Sequence, residues 1–223
     1  LVIVGTGLAG YNLAKEFRKL DNQRPMLLVS ADDGRFYSKP LLSTGFAKGK
    51  EADELAMQDA NAMAAQLGAE VLTGVSVSAI DPAARTLTLG DRQQAYSDLV
   101  LALGAEVRAL PWREQLGERL LSINDLADYG LFRAALTGRK KVLIIGAGLI
   151  GCEFANDLSL GGFEVTVVAT DPWVMPQLLP EPVAAALQRR LEALGVTFHL
   201  GCGIRELAAS ENALLALLDD GSE

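Results

Sequence analysis

Two glycine-rich hexapeptides carry most of the chemistry in this chain, GTGLAG at Gly5 to Gly10 and GAGLIG at Gly146 to Gly151. Each follows a short apolar run and opens a stretch with helical periodicity, the context in which such a hexapeptide binds a dinucleotide. Gly5 permits a tight turn, Gly7 leaves the pyrophosphate unobstructed, and Gly10 lets the helix pack against the strand, with Thr6, Leu8 and Ala9 between them. The pyrophosphate then rests on unpaired backbone amides at the positive end of the helix dipole. Gly146, Gly148 and Gly151, with Leu149 and Ile150, repeat the pattern. One site is expected to hold FAD and the other a nicotinamide nucleotide, so that hydride passes between two bound dinucleotides.

The first fingerprint predicts an acid at the end of the second strand to take ribose hydroxyls. Asp32, 22 residues past Gly10, is the candidate, and Asp33 beside it reads equally as a turn residue. For the second fingerprint the expected position, closing EVTVV, is Ala169, and Asp171 is the possible substitute. No Lys or Arg stands there to hold a 2′-phosphate, which favours NADH over NADPH, while Ala169 at the acid position leaves the choice open.

The elements that must position these residues alternate in the α/β manner, twice. LVIV and MLLVS read as buried parallel strands around an amphipathic helix, YNLAKEFRKLDNQ, whose Leu13, Ala14, Phe17 and Leu20 form its apolar face. A turn-rich loop, ADDGRFYSKPLLSTG, leads to a helical stretch, ELAMQDANAMAAQL. Strand-like VLTGVSVSAID and RTLTLG, joined by the turn DPAA, predict a small antiparallel element, and AYSDLVLALGA ends in another buried strand. Residues from Glu106 to about Gly117 read as an irregular linker. A helix over Leu126 to Leu136 follows, then strand KKVLIIG, helix LIGCEFANDLSLGG, strand FEVTVVA, helix PVAAALQRRLEALG and strand VTFHL. The expected architecture is two Rossmann-like dinucleotide-binding domains, an FAD-binding one over 1–112 and an NAD-binding one over 113–223.

Composition excludes more than it selects. With 223 residues, half of them apolar, the chain can bury real cores. No apolar run approaches the roughly 20 residues that span a bilayer. A formal charge of -8 argues against nucleic acid and anionic membranes. Cys152 and Cys202 are too few for a disulfide framework, no secretion signal is visible, and a reducing cytoplasm is the default. His199 lies on an apolar strand and reads as a packed residue; no metal site is expected. The chain opens inside a strand, and ALLALLDDGSE reads as a strand entering an Asp-Gly turn, so a fragment lacking the return strand is expected.

The stretches GTGLAGYNLAKEFRKL, ADDGRFYSKPLLSTGF and LIGAGLIGCEFANDL closely resemble the rubredoxin-reducing branch of the FAD-dependent pyridine nucleotide reductases, nearly from end to end. The resemblance implies an NADH-dependent flavoprotein that passes electrons singly to the iron protein rubredoxin, which feeds an alkane hydroxylase. It implies that Lys39 and Pro40 lie over the flavin, that Glu153 reaches the flavin beside the nicotinamide, and that Val77 holds the adenine part of FAD through its backbone. A cation such as Lys39 would stabilise the reduced flavin's negative charge. Ala102 and Gly104 match an alanine-threonine-glycine end of the FAD-domain strand, with Leu103 replacing the threonine. The loop from Phe36 to Gly45 lacks the redox cysteines of related disulfide reductases, and both cysteines read as structural. Glu153 falls in what reads as the first turn of its helix, where the dipole also favours an acid. The resemblance implies a later GD-containing segment and an interface domain that complete the flavin site, so this piece alone is expected to bind FAD poorly. A ferredoxin or nitrite reductase centre as acceptor, or a flavin- and NADH-binding protein without turnover, are the alternatives.

Overall fold

The computed structural model describes residues 1–209 and 213–222. The chain divides into two compact units: Leu1–Lys39 with Asp53–Glu106, and Pro40–Ala52 with Val107–Glu223. The segment Pro40–Ala52, read from the sequence as part of the first domain, thus packs within the second unit.

In the first unit the elements run β1 (Val2–Val4), α1 (Leu8–Leu20), β2 (Leu27–Val29), β3 (Phe36–Tyr37), α2 (Ala52–Leu55), β4 (Ala56–Gln58), α3 (Ala60–Leu67), β5 (Glu70–Leu72), β6 (Val77–Asp81), β7 (Thr86–Leu89), β8 (Arg92–Ala95) and β9 (Leu99–Leu101). In a parallel sheet of order β5-β2-β1-β9 the central strands β1 and β2, continuous apolar runs, are buried on both faces. Alternation decides which residue goes where. Ile3 and Leu28 pack with Tyr11, Ala14, Met63 and Leu67 of the helices. Val2, Val4, Leu27 and Val29 pack with Leu87 and Leu89 of the antiparallel β6-β7-β8 sheet.

Two expectations need correction here. The buried residues of α1 are Gly10, Tyr11 and Ala14, whereas Leu13 is 37% exposed and Leu20 88% exposed. The phenol of Tyr11 supplies the bulk, and its hydroxyl reaches Gly34 O at 2.5 Å, so a residue that reads as polar fills the core. The helix expected over ELAMQDANAMAAQL is broken by β4, which pairs with β3. Asp59 then caps α3 by accepting from Ala62 N at 2.8 Å.

The second unit holds α4 (Arg113–Leu116), α5 (Leu126–Ala135), β10 (Lys141–Ile145), α6 (Leu149–Leu160), β11 (Glu164–Ala169), α7 (Glu181–Glu192), β12 (Thr197–Leu200), β13 (Ile204–Ala209) and β14 (Leu214–Leu218). β10-β11-β12 form a parallel sheet. The expected linker is partly ordered: Leu116 of α4 and Leu120 pack on Leu207 of β13. The strand expected in ALLALL forms as β14, and it pairs antiparallel with β13, an element the sequence did not disclose. Among the described residues no helix is long and apolar enough to cross a membrane.

Candidate functional site

Each fingerprint forms a strand-to-helix turn that only glycine tolerates. Gly5 and Gly146 sit at φ 108° and 106°. A Cβ on Gly10 would lie 1.9 Å from Gly5 O, and one on Gly151 2.1 Å from Gly146 O. Around Gly7 and Gly148, by contrast, nothing lies within 4 Å of a built Cβ. These two glycines N-cap α1 and α6 without any side-chain cap. The first intrahelical N–H groups are those of Tyr11 and Cys152, onto Gly7 O and Gly148 O. The amides of Leu8, Ala9 and Gly10, and of Leu149, Ile150 and Gly151, are left for an outside acceptor. An open cradle of donors at a helix start fits a dinucleotide pyrophosphate in both units.

In the first unit the cradle and Asp32 are brought together by a chain of hydroxyls. Thr6 Oγ1 donates to Ser30 Oγ at 2.6 Å, and Ser30 Oγ donates to Asp32 Oδ1, which also accepts Gly34 N at 2.8 Å. Thr6 and Ser30 are buried, while Asp32 is exposed. One carboxylate oxygen is therefore held by the protein on an exposed residue, an arrangement that suits a ribose-binding acid. Ser30 was not singled out from the sequence, since its role depends on contact with Thr6, 24 residues away. Ala102 also joins this site. Its N donates to Val4 O at 2.8 Å, and a Cβ on Gly5 would lie 2.1 Å from its carbonyl oxygen. Gly104, at φ 74°, and exposed Leu103 follow it, and Val77 opens β6. Exposed Lys39 and Pro40 begin a 3-10 turn over Lys39–Thr44, in which Leu42 and Ser43 are buried.

In the second unit Glu153 is the fifth residue of α6, whose first turn contains no acid. It therefore lies beyond the expected first-turn position. Its partner is Ser43, whose Oγ lies 2.8 Å from Glu153 Oε2 and 3.0 Å from Pro40 O. One turn further along α6, Asp157 is 2% exposed and accepts Phe46 N at 2.8 Å and Ala47 N at 2.9 Å. Phe46 lies edge-on to Tyr129, Phe132 and Phe163. The segment after Pro40 is thus bound to α6 by a hydroxyl and two amides, and to α5 and Phe163 by an aromatic cluster. An acid on the apolar face of a helix, between Phe154 and Leu158, was the sequence signal for Asp157. Cys152 is buried with its Sγ 3.4 Å from Ala147 O, and burial pushes its thiol up to about 11.

The pyridine nucleotide-disulphide oxidoreductase profile matches residues 1–223. Rubredoxin-NAD(+) reductase of Alcanivorax borkumensis is 50% identical over the whole chain, which covers 59% of that protein. The enzyme of the same name from Acinetobacter baylyi is 40% identical over 93% of the chain and 54% of its own length. The reductase in a covalent putidaredoxin reductase-putidaredoxin complex superposes with a TM-score of 0.88 at 28% identity, over 99% of this chain and 55% of that one. The chain spans a little over half the length of these proteins, and it belongs to the pyridine nucleotide-disulphide oxidoreductase family.

Proposed function

We propose that these residues belong to an FAD-dependent oxidoreductase that takes hydride from NADH and passes electrons one at a time to rubredoxin in the cytoplasm, as a supply to alkane hydroxylation. The observation that carries it is the duplicated cradle: two helix starts with open glycine turns in one chain, each followed by an acid. The likeness to two rubredoxin-NAD(+) reductases favours this acceptor.

Gly5 to Gly10, Asp32, Val77, Ala102 and Gly104 would hold FAD; Gly146 and Gly148 to Gly151 would hold the nicotinamide dinucleotide. The flavin, when bound, supplies a carrier that accepts a hydride and releases single electrons. The chain positions rather than reacts. Ser43 fixes the Glu153 carboxylate through a 2.8 Å hydrogen bond, so its rotamer is set before any nucleotide arrives. Lys39 brings a cation and Pro40 stiffens the turn after it. Leu149 and Ile150, 47% and 65% exposed on the second cradle, offer apolar cover that keeps water from a bound dinucleotide.

The test is to mix the complete polypeptide with NADH and rubredoxin and follow bleaching of rubredoxin. Two rubredoxins reduced per NADH is the expected result. No acceleration over the enzyme-free control refutes it. The superposition on a reductase joined to putidaredoxin favours a second reading, a different small electron carrier, and running the assay with putidaredoxin in place of rubredoxin separates the two.

A further inference from the structure

Helix α6 carries two acids one turn apart, Glu153 and Asp157, and the segment Pro40–Ala52 of the same unit runs along both. Asp157 is the unusual one. Its residue is 2% exposed, and among the described residues its carboxylate meets no cation. Phe46 N donates to Oδ2 at 2.8 Å and Ala47 N to Oδ1 at 2.9 Å, so each oxygen holds one of two consecutive amides. Taking a carboxylate out of water is costly, and a leucine would hold the segment by packing alone without that cost. What the carboxylate adds is register, because two oxygens matched to two successive N–H groups admit one alignment of the segment along the helix.

The rest of the segment is seated to match. Gly45 is buried, and a Cβ on it would lie 2.1 Å from Tyr129 Oη, so a larger residue cannot pass that point. Gly49 N donates to Phe46 O at 3.0 Å and Lys50 N to Gly45 O at 2.9 Å, which closes a turn. Tyr129 Oη then donates to Lys50 O at 3.1 Å, and Arg133 holds both oxygens of Glu51 at 2.9 and 2.6 Å. At the other end Ser43 Oγ stands between Pro40 O at 3.0 Å and Glu153 Oε2 at 2.8 Å. A slip of one residue moves the chain by about 3.8 Å, more than a hydrogen bond can stretch, so Ser43 would leave Glu153.

We propose that Asp157 is a positioning residue for the nicotinamide half of the dinucleotide: it sets the register of the segment, the segment places Ser43, and Ser43 holds the Glu153 carboxylate. The proposal rests on the second cradle being the nicotinamide nucleotide site, with Glu153 beside the nicotinamide. Its test is calorimetric titration of the complete, FAD-loaded polypeptide with NAD+ and with ADP-ribose, which lacks the nicotinamide, so that affinity is read apart from turnover. Immobilising a freed side chain on binding costs about 2- to 10-fold in affinity, and that loss should fall on NAD+ alone in Ser43→Ala. Asp157→Asn, which turns a donor toward one of the two amides, should lower the NAD+ to ADP-ribose affinity ratio in the same direction. Asp157→Glu keeps the buried charge but lengthens its reach, and it should do likewise by shifting the segment. Because Asp157 acts through Ser43, the Ser43→Ala, Asp157→Asn double variant should lose no more than Ser43→Ala by itself. An affinity ratio unchanged in both Asp157 variants overturns the proposal. So does an equal weakening of both ligands, which is general loosening, or a double variant in which the two losses multiply. The underlying reading fails separately: through an unaltered protein that binds neither ligand, or through Glu153→Ala leaving the ratio as it was.

Discussion

Replacing Asp157 by alanine should loosen the segment after Pro40 without unfolding its unit. The carboxylate accepts two backbone N–H groups, from Phe46 at 2.8 Å and Ala47 at 2.9 Å. Hydrogen bonds to a charged acceptor contribute about 1.5–3 kcal/mol each, so the pair is nominally worth about 3–6 kcal/mol. Two effects reduce that. Ala47 is exposed, so water can take over its N–H, and removing a carboxylate that is 2% exposed relieves its own desolvation. The expected net loss is about 2–3 kcal/mol, or a drop of about 1 M in the urea midpoint for an m-value near 2–3 kcal/mol/M. The effect should be local, because Phe46 keeps its edge-on contacts with Tyr129, Phe132 and Phe163 and lies 4.7 Å from the Arg133 guanidinium. Amide exchange should therefore accelerate most at Phe46 and Ala47 and little in β10 and β11. Asp157→Asn should fall between, since its amide group turns a donor toward one of the two N–H groups. An Asp157→Ala protein with an unchanged urea midpoint and unchanged exchange at Phe46 and Ala47 would refute this account of the clasp.

Gly7→Ala and Gly10→Ala should separate ligand from fold. A Cβ on Gly7 has nothing within 4 Å, so that variant should melt normally yet retain less flavin by absorbance after gel filtration; a Cβ on Gly10 meets Gly5 O at 1.9 Å, and overpacking of this kind should cost about 3 kcal/mol in thermal unfolding. Burial first, with Asp32 next, pushes the Tyr11 phenol up to about 12. Stability should be intact below pH ~10, where an unfolded tyrosine keeps its proton, and decline as pH climbs from there toward 12; Tyr11→Phe should flatten that decline in denaturation midpoints. With its thiol pushed up to about 11, Cys152 should resist a disulfide reagent at pH 8 in the folded protein, and equal labelling of Cys152 and Cys202 would contradict its burial.

What could be read from the sequence is what sterics demand of single residues. The glycine spacing was legible because a side chain at Gly10 or Gly151 would strike a carbonyl of the same hexapeptide, so the constraint is local. The apolar face of α1 was misjudged for the opposite reason. Which residues are buried depends on what α3 and β3 present, and Tyr11 wins because Gly34 supplies a carbonyl for its hydroxyl. β4 escaped notice because AMQ sits inside an alanine-rich stretch with helical periodicity, and only its pairing with β3 makes it extended. β13 was missed because Arg205 and Glu206 interrupt the apolar pattern on its exposed side. Ser43 and Asp157 act across 110 residues or more of chain, and no local pattern encodes such a partner.

The two cradles differ in a way that matches the different lifetimes their ligands would need. In the first, Thr6 and Ser30 form a buried chain of donors that holds one oxygen of Asp32, and Gly34 N holds it again. The second has Ala147 and Ala169 at the equivalent places, and among the described residues no hydroxyl is bonded to the Asp171 carboxylate. An acid locked in its binding rotamer loses no side-chain freedom when ligand arrives, whereas a free one gives up about 0.5–1.5 kcal/mol on each binding event. The locked site suits a group that stays bound through many turnovers, as FAD would, and the free one suits a nicotinamide dinucleotide that must leave every cycle. Removing the lock should therefore act on one ligand alone. Ser30→Ala should speed flavin loss on dilution while leaving the ADP-ribose affinity of the second cradle as it was, and a variant that loses both would show that the two sites are not independently organised.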